Sequence, residues 1–134
     1  LTLIRLLQAS PNNVYKREIF AVQLMRQAAR IAINRQIAGV HFPVDSAAGA
    51  MLGLTLGEYL FQRFTQKSGF AAWSFTGEVY PDNRDFDWSE WFNLTGAVQR
   101  SPGAYGTALT PTNNLGAPSA LLDWLWRKAL AEWT

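Results

Sequence analysis

The chain has 134 residues, about half of them apolar, with 12 basic and 10 acidic residues, a net charge of +2 and no cysteine. That is enough chain for one domain with a sizeable core. It excludes disulfides and thiolate metal sites, and so mild a charge, without a dense Lys/Arg run, argues against a nucleic-acid partner.

Leu1 stands where an initiator methionine would, and it opens straight into an apolar segment, so the chain reads as a piece of a longer protein. Leu1–Leu7 lacks the basic lead and cleavage pattern of a signal peptide. The longest strongly apolar stretch without a charge, Ser46–Gly57, is too short for a bilayer, which needs roughly 20 residues. No membrane span is therefore expected in this chain. It reads as soluble, with a secreted or periplasmic location left open.

Leu1–Ala9 is apolar enough for the end of a helix or a packed strand, and Ser10-Pro11-Asn12-Asn13 breaks it with turn and cap residues. Ile19, Val22, Met25, Ala29 and Ile33 then recur at helical spacing, predicting a helix from about Val14 to about Asn34 with that face inward. Gly39 lowers helix propensity and Pro43 disfavours the α region at Phe42, so Gly39–Val44 should leave the helix. Pro43 suits the first turn of the next helix, from about Val44 to Thr65, where Asp45 and Ser46 can cap free N–H groups. Gly49, Gly53 and Gly57 recur along it at helical spacing and read as a bare ridge for close helix–helix packing.

Gln66–Gly116 changes character: it is rich in Gly, Pro, Asn, Asp and aromatic residues and has no sustained period. Turns are expected at Lys67-Ser68-Gly69 and Tyr80-Pro81-Asp82-Asn83, and a short helix near Trp88–Asn93. So long an irregular region is expected to wrap a scaffold or line a pocket. A last helix is predicted from about Pro118 to Glu132, with Leu122, Leu125, Trp126, Ala129 and Trp133 as its inner stripe, widened by Leu121 and Trp124. Asp85-x-Asp87-x-Ser89 is only faintly like a calcium loop, lacking the later Gly and Glu. The six tryptophans read as core packing rather than a sugar-stacking surface. Asn93-Leu94-Thr95 is a formal glycosylation sequon.

The most specific stretch is Asn34-Arg35-Gln36-Ile37-Ala38-Gly39-Val40-His41-Phe42-Pro43-Val44-Asp45, which holds the single histidine of the sequence. Arg35 presents a fixed fork of donors suited to a phosphate-like oxyanion. His41 can act as a nucleophile or as a ligand through one ring nitrogen. Asp45 can hold the other nitrogen, fixing the tautomer and raising basicity. The helix start after His41 would add N–H groups and a positive dipole end. Together these groups suit the gripping of a tetrahedral or trigonal-bipyramidal oxyanion.

The pattern Asn34-Arg35-x5-His41-x3-Asp45, continuing into Ala48-Gly49 and Leu52-Gly53, resembles the last signature motif of the vanadium-dependent haloperoxidases and type 2 phosphatidic acid phosphatases. The likeness covers roughly Arg30 to Gly57, and Asn34 stands where the family usually has Ser. The predicted helices imply an all-α bundle, and with the resemblance residues 1–134 read as the C-terminal part of one such helical domain. The resemblance implies that Arg35 binds oxyanion oxygens and that Asp45 orients His41. His41 would be the vanadate ligand of a haloperoxidase, or the phosphorylated nucleophile of a soluble acid phosphatase, which needs no cofactor. The family's two earlier motifs, one with Lys and Arg-Pro and one reading Pro-Ser-Gly-His, are not in this sequence; Ser101-Pro102-Gly103 has the wrong order. The missing N-terminal part of the same protein is therefore an expected partner, and the chain alone is expected to be inactive. The implied small-molecule substrates are peroxide and halide, or a phosphate ester. A homodimer is left open, as is a helical structural or binding module that retains the motif without using it.

Overall fold

The computed structural model describes residues 1–66, 69–70, 72–93, 98–99, 105–109 and 115–133. Four α-helices carry the architecture: α1 (Thr2–Ala9), α2 (Glu18–Ile37), α3 (Pro43–Phe64) and α4 (Ala120–Ala131). Between α3 and α4 the described residues form four short strands, β1 (Trp73–Phe75), β2 (Phe92–Asn93), β3 (Val98–Gln99) and β4 (Gly106–Ala108). β1 pairs antiparallel with β4, Ser74 opposite Thr107, and β2 pairs antiparallel with β3.

The fold is thus mostly helical but not all-α, which corrects the expectation from sequence. The strands fall where aromatic residues such as Trp73, Phe75 and Phe92 occur without helical spacing, and such side chains fit a pleated, half-buried surface. The expected short helix near Trp88–Asn93 is one 3-10 turn, Trp88–Glu90, followed at once by β2. The turn after Tyr80 closes through the Arg84 N–H donating to the Pro81 carbonyl at 3.3 Å. Lys67-Ser68 and the Leu94-Thr95 part of the sequon lie outside the described residues.

The amphipathic α1 is a helix rather than a strand, and it buries Ile4, Leu6 and Leu7. Arg5 reaches α3, where Glu58 accepts from its guanidinium at 2.9 Å, and it lies over the Phe61 ring at 5.5 Å. At the chain break, buried Ser10 donates to the Trp133 carbonyl at 2.6 Å and accepts from the Asn12 N–H at 3.0 Å. One fully buried hydroxyl thus joins the end of α1 to the end of α4 with both its hydrogen-bonding roles used.

α4 starts on Ser119, whose hydroxyl accepts the Leu122 N–H. It docks through Trp126, packed against Phe61 and Phe64 of α3 at ring separations of 5.5 and 5.9 Å. The expected inner stripe is therefore too wide: Trp126 is buried and Leu122, Ala129 and Trp133 are half-buried, whereas Leu125, Leu121 and Trp124 are exposed. On α2 the expected face holds in part: Met25 and Ala29 are buried, joined by Ala21, while Ile19 and Ile33 at its ends face solvent. Among the described residues no helix is long and apolar enough to cross a membrane.

Candidate functional site

The corner between α2 and α3 is set by local chemistry. α2 ends on Ala38, and Gly39 follows with φ +72°, a left-handed conformation that side chains disfavour. The Gly39 N–H donates to the Gln36 carbonyl at 2.9 Å and the Val40 N–H to the Arg35 carbonyl at 3.1 Å, the paired bonds of a Schellman ending. The chain then turns through Val40, His41 and Phe42 into Pro43, which opens α3. Gln36 Nε2 donates to Ser46 Oγ at 2.7 Å across this corner, tying the last turn of α2 to the first turn of α3. Five residues of loop are thereby held at both ends.

Asp45 has two tasks. Its Oδ2 accepts the Phe42 N–H at 2.9 Å, closing the start of α3, and the same oxygen lies 3.5 Å from His41 Nδ1. The second contact is longer than the usual 2.7–3.2 Å of a hydrogen bond, so the two groups are in ion-pair range without a tight bond. Loose geometry of this kind is common where a ligand completes the site. Both side chains are partly open to solvent, at 36% for His41 and 48% for Asp45. Arg35 is exposed, and its guanidinium has no hydrogen-bond or ion-pair partner among the described residues.

The helix start offers an anion less than the sequence suggests. Pro43 has no N–H, the Phe42 N–H is taken by Asp45, and the Asp45 and Ser46 N–H groups both point at the Phe42 carbonyl. Of the first N–H groups of α3 only that of Val44 is left without an acceptor among the described residues, so this corner presents mainly charge and side-chain donors.

Arg35, His41, Asp45 and Ser46 all border one cavity of about 480 Å³ between α2 and α3. Small residues from both helices border it, Ala28, Ala29 and Ala32 on one side and Gly49, Ala50 and Gly53 on the other, together with the larger Met25, Ile31 and Leu54 and with Leu1. The far wall is Phe86, Trp88 and Trp91, brought over the helices by the irregular region. That region does line a pocket. The glycine ridge, in contrast, is mostly not a packing ridge. A Cβ at Gly49 or Gly53 would meet no atom within 4 Å, whereas one at Gly57 would come within 2.7 Å of Leu1 Cβ. Only Gly57 is needed for a close approach, because the space above the other two is the cavity.

Gln36 and Ser46 were not singled out from sequence as a pair. Their ten-residue separation across a Gly-Pro corner is the one available signal, since it places them on facing helix turns. Phe86, Trp88 and Trp91 lie in the irregular region expected to wrap a scaffold or line a pocket, but nothing in the sequence singles them out within it. Asp87, part of the faint calcium pattern, spends its carboxylate on the Ser89 N–H at 2.9 Å.

A second polar cluster lies behind the aromatic wall. Tyr105 donates its hydroxyl proton to Glu90 Oε2 at 2.9 Å, and Glu90 also pairs with Arg84. Burial first, then the bond to Glu90 and its charge, push the Tyr105 hydroxyl pKa up to about 12. The Tyr80 hydroxyl is also raised, by burial and then by Glu90. Tyr105 packs against both Tyr80, at 5.0 Å between centroids, and Trp91, at 5.6 Å.

No protein-family model, no curated protein and no solved structure matches the chain.

Proposed function

We propose that the chain supplies the oxyanion-binding part of a vanadium-dependent haloperoxidase-like enzyme, which oxidises halide with hydrogen peroxide. The observation that supports this reading is the convergence of Arg35, His41 and Asp45 on one cavity, with Nδ1 of His41 turned to Asp45. The spacing of the three residues could have placed them on different sides of the corner. The Schellman ending at Gly39 and the Pro43 helix start bring them to the same side.

The donor set fits vanadate or phosphate. Arg35 is a cation with no protein partner among the described residues, so it has free donors for oxyanion oxygens. With Nδ1 facing Asp45, His41 keeps Nε2 for the oxyanion. Asp45 would fix that tautomer and strengthen the ring as a donor, and an incoming anion would tighten the 3.5 Å contact. Gln36 and Ser46 hold the corner so that these side chains need not reorganise. Bound vanadate would supply Lewis-acid activation of peroxide toward halide at constant oxidation state.

One arginine and one histidine compensate only part of the charge of such an anion. The reading therefore includes a companion segment with a second histidine, an arginine and a lysine, as the resemblance implies. It also implies that these 134 residues bind oxyanion weakly and turn nothing over alone.

Orthovanadate titration followed by vanadium-51 NMR tests the site. Line broadening is expected for the chain and lost in His41→Ala; equal broadening in both would sink the proposal. In the natively expressed protein, bromide oxidation that requires both vanadate and peroxide is the expected activity. Phosphate-ester turnover inhibited by vanadate, without halide oxidation, would instead assign the same residues to a phosphatase with His41 as nucleophile.

A further inference from the structure

Charge is spread unevenly over the chain. Of its 12 basic residues, Lys16, Arg17, Arg26, Arg30 and Arg35 lie between residues 14 and 44, where Glu18 is the single acid. Over the rest of the sequence acids outnumber bases. The cations of α2 also differ from the others in their partners. Arg5, Arg84 and Arg127 are paired with Glu58, Glu90 and Asp123, and Arg63 donates to the Leu115 and Ala117 carbonyls. Arg26 and Arg30 are exposed, and their guanidinium groups have no hydrogen-bond or ion-pair partner among the described residues.

The same part of the molecule ends in an apolar tip. Ile37, Val40 and Phe42 are 79%, 60% and 74% exposed, three large apolar side chains within six residues. Local bonds fix its shape. The Ala38, Gly39 and Val40 N–H groups donate to carbonyls of α2, the Phe42 N–H donates to Asp45, and Pro43 has no N–H. The apolar side chains can therefore leave water without stranding those donors. Arg30 and Arg26 stand behind the tip on the face of Ile37, within about 20° of it around α2 and roughly 10 and 17 Å back along the helix axis. Exposed Ile33 shares that face.

An apolar point backed by free cations matches a bilayer surface that carries anionic lipid. Interfacial segments enter such a surface by about 5–10 Å. That depth sets Arg30 at the level of the headgroups and Arg26 within about one Debye length, roughly 8 Å, of them. An acidic protein would answer the arginines equally well. It would also need a groove shaped to three protruding side chains, which a fluid lipid surface does not.

We infer that the corner between α2 and α3 is a peripheral docking site for an anionic membrane surface. Ile37, Val40 and Phe42 enter the headgroup region, and Arg26 and Arg30 lie against its negative charge. The inference is independent of the haloperoxidase-like reading, since it uses neither Arg35 nor His41.

Co-sedimentation of the chain with vesicles tests it, using phosphatidylcholine alone and an equal mixture of phosphatidylcholine and phosphatidylserine. Binding to the mixed vesicles is expected, about tenfold or more above that to phosphatidylcholine and falling as salt rises. Phe42→Ser and Ile37→Ser should each weaken it about tenfold or more. Arg26→Gln and Arg30→Gln should each weaken it about fivefold and flatten its salt dependence. All four side chains are exposed, so folding should persist, as circular dichroism would report. The control is Leu121→Ser, which should bind as the parent does. Leu121 is 64% exposed on α4, and α4 packs on Phe61 and Phe64, roughly 30 Å along α3 from the corner. No binding to the mixed vesicles overturns the proposal and leaves the tip to a protein partner. Equal binding to both vesicle types, or an equal loss in Leu121→Ser, overturns it as non-specific adsorption. Losses in the arginine variants without losses in Phe42→Ser and Ile37→Ser overturn it too, because charge alone then holds the chain and the tip does not enter.

Discussion

The α2–α3 corner and the Tyr80–Tyr105 cluster both gather polar and charged groups, in opposite states. In the cluster, Tyr105 is 4% exposed, its hydroxyl is bonded to Glu90, and Glu90 is paired with Arg84. In the corner, His41 and Asp45 are more than a third exposed, 3.5 Å apart, and Arg35 pairs with nothing described. Buried polar groups must be satisfied within the protein or cost stability. Exposed groups at a cavity mouth can stay unpaired at little cost, since water serves them until a ligand arrives. The cluster therefore holds the wall up, and the corner keeps its donors available.

Mutations should separate the two regions, and the largest effects belong to the cluster and the wall it supports. Trp91→Ala removes a 1% exposed side chain and should cost about 3–5 kcal/mol in denaturant unfolding. A loss below about 1 kcal/mol would mean that the wall is not part of the core. Tyr105→Phe should cost about 2 kcal/mol, because it deletes a hydrogen bond to a charged carboxylate.

The same residue gives a pH signature. The folded pKa of Tyr105 is raised from 10.0 to about 12, so the folded state holds a proton that the unfolded state releases in that window. The stabilisation is complete below pH 10 and is lost as pH rises through about 12. Denaturation across this range should show a downward slope for the parent that is shallower in Tyr105→Phe. Identical slopes would detach Tyr105 from the shift.

Corner mutations should reverse the balance between stability and binding. Gly39→Ala forces a side chain to φ +72° and should cost about 1 kcal/mol. It should also weaken orthovanadate binding, because Arg35 and His41 are positioned from either side of that residue. Arg35→Ala should change stability by less than about 0.5 kcal/mol, yet lose about tenfold or more in orthovanadate affinity. If Arg35→Ala destabilises as much as Tyr105→Phe, the guanidinium has a structural partner and the contrast between the regions fails.

The helices and the corner were legible from sequence to within a few residues. α3 was expected from about Val44 to Thr65 and runs Pro43–Phe64; α2 was expected from about Val14 and starts at Glu18. Residues 13–17 form turns instead, since Asn12 holds the Val14 N–H through its side chain at 3.0 Å and competes with helix. The meaning of the glycines was not legible. Spacing alone cannot tell a ridge that meets another helix, as Gly57 meets Leu1, from one that faces a cavity, as at Gly49 and Gly53. The face of α2 was legible only in part: Met25 and Ala29 are buried as expected, whereas Ala21 is buried in place of Ile19 and Ile33, which face solvent.

By itself the sequence determined the corner. Gly39, Pro43 and Asp45 act within a few residues of one another, through a positive φ, a fixed φ and a short side-chain bond, so local chemistry is sufficient. Only the tertiary structure decided the cavity. Its aromatic wall comes from residues more than forty positions away from His41, and its floor depends on how far α2 and α3 are held apart. Those are long-range packing outcomes, set by volumes and contacts that no local pattern encodes.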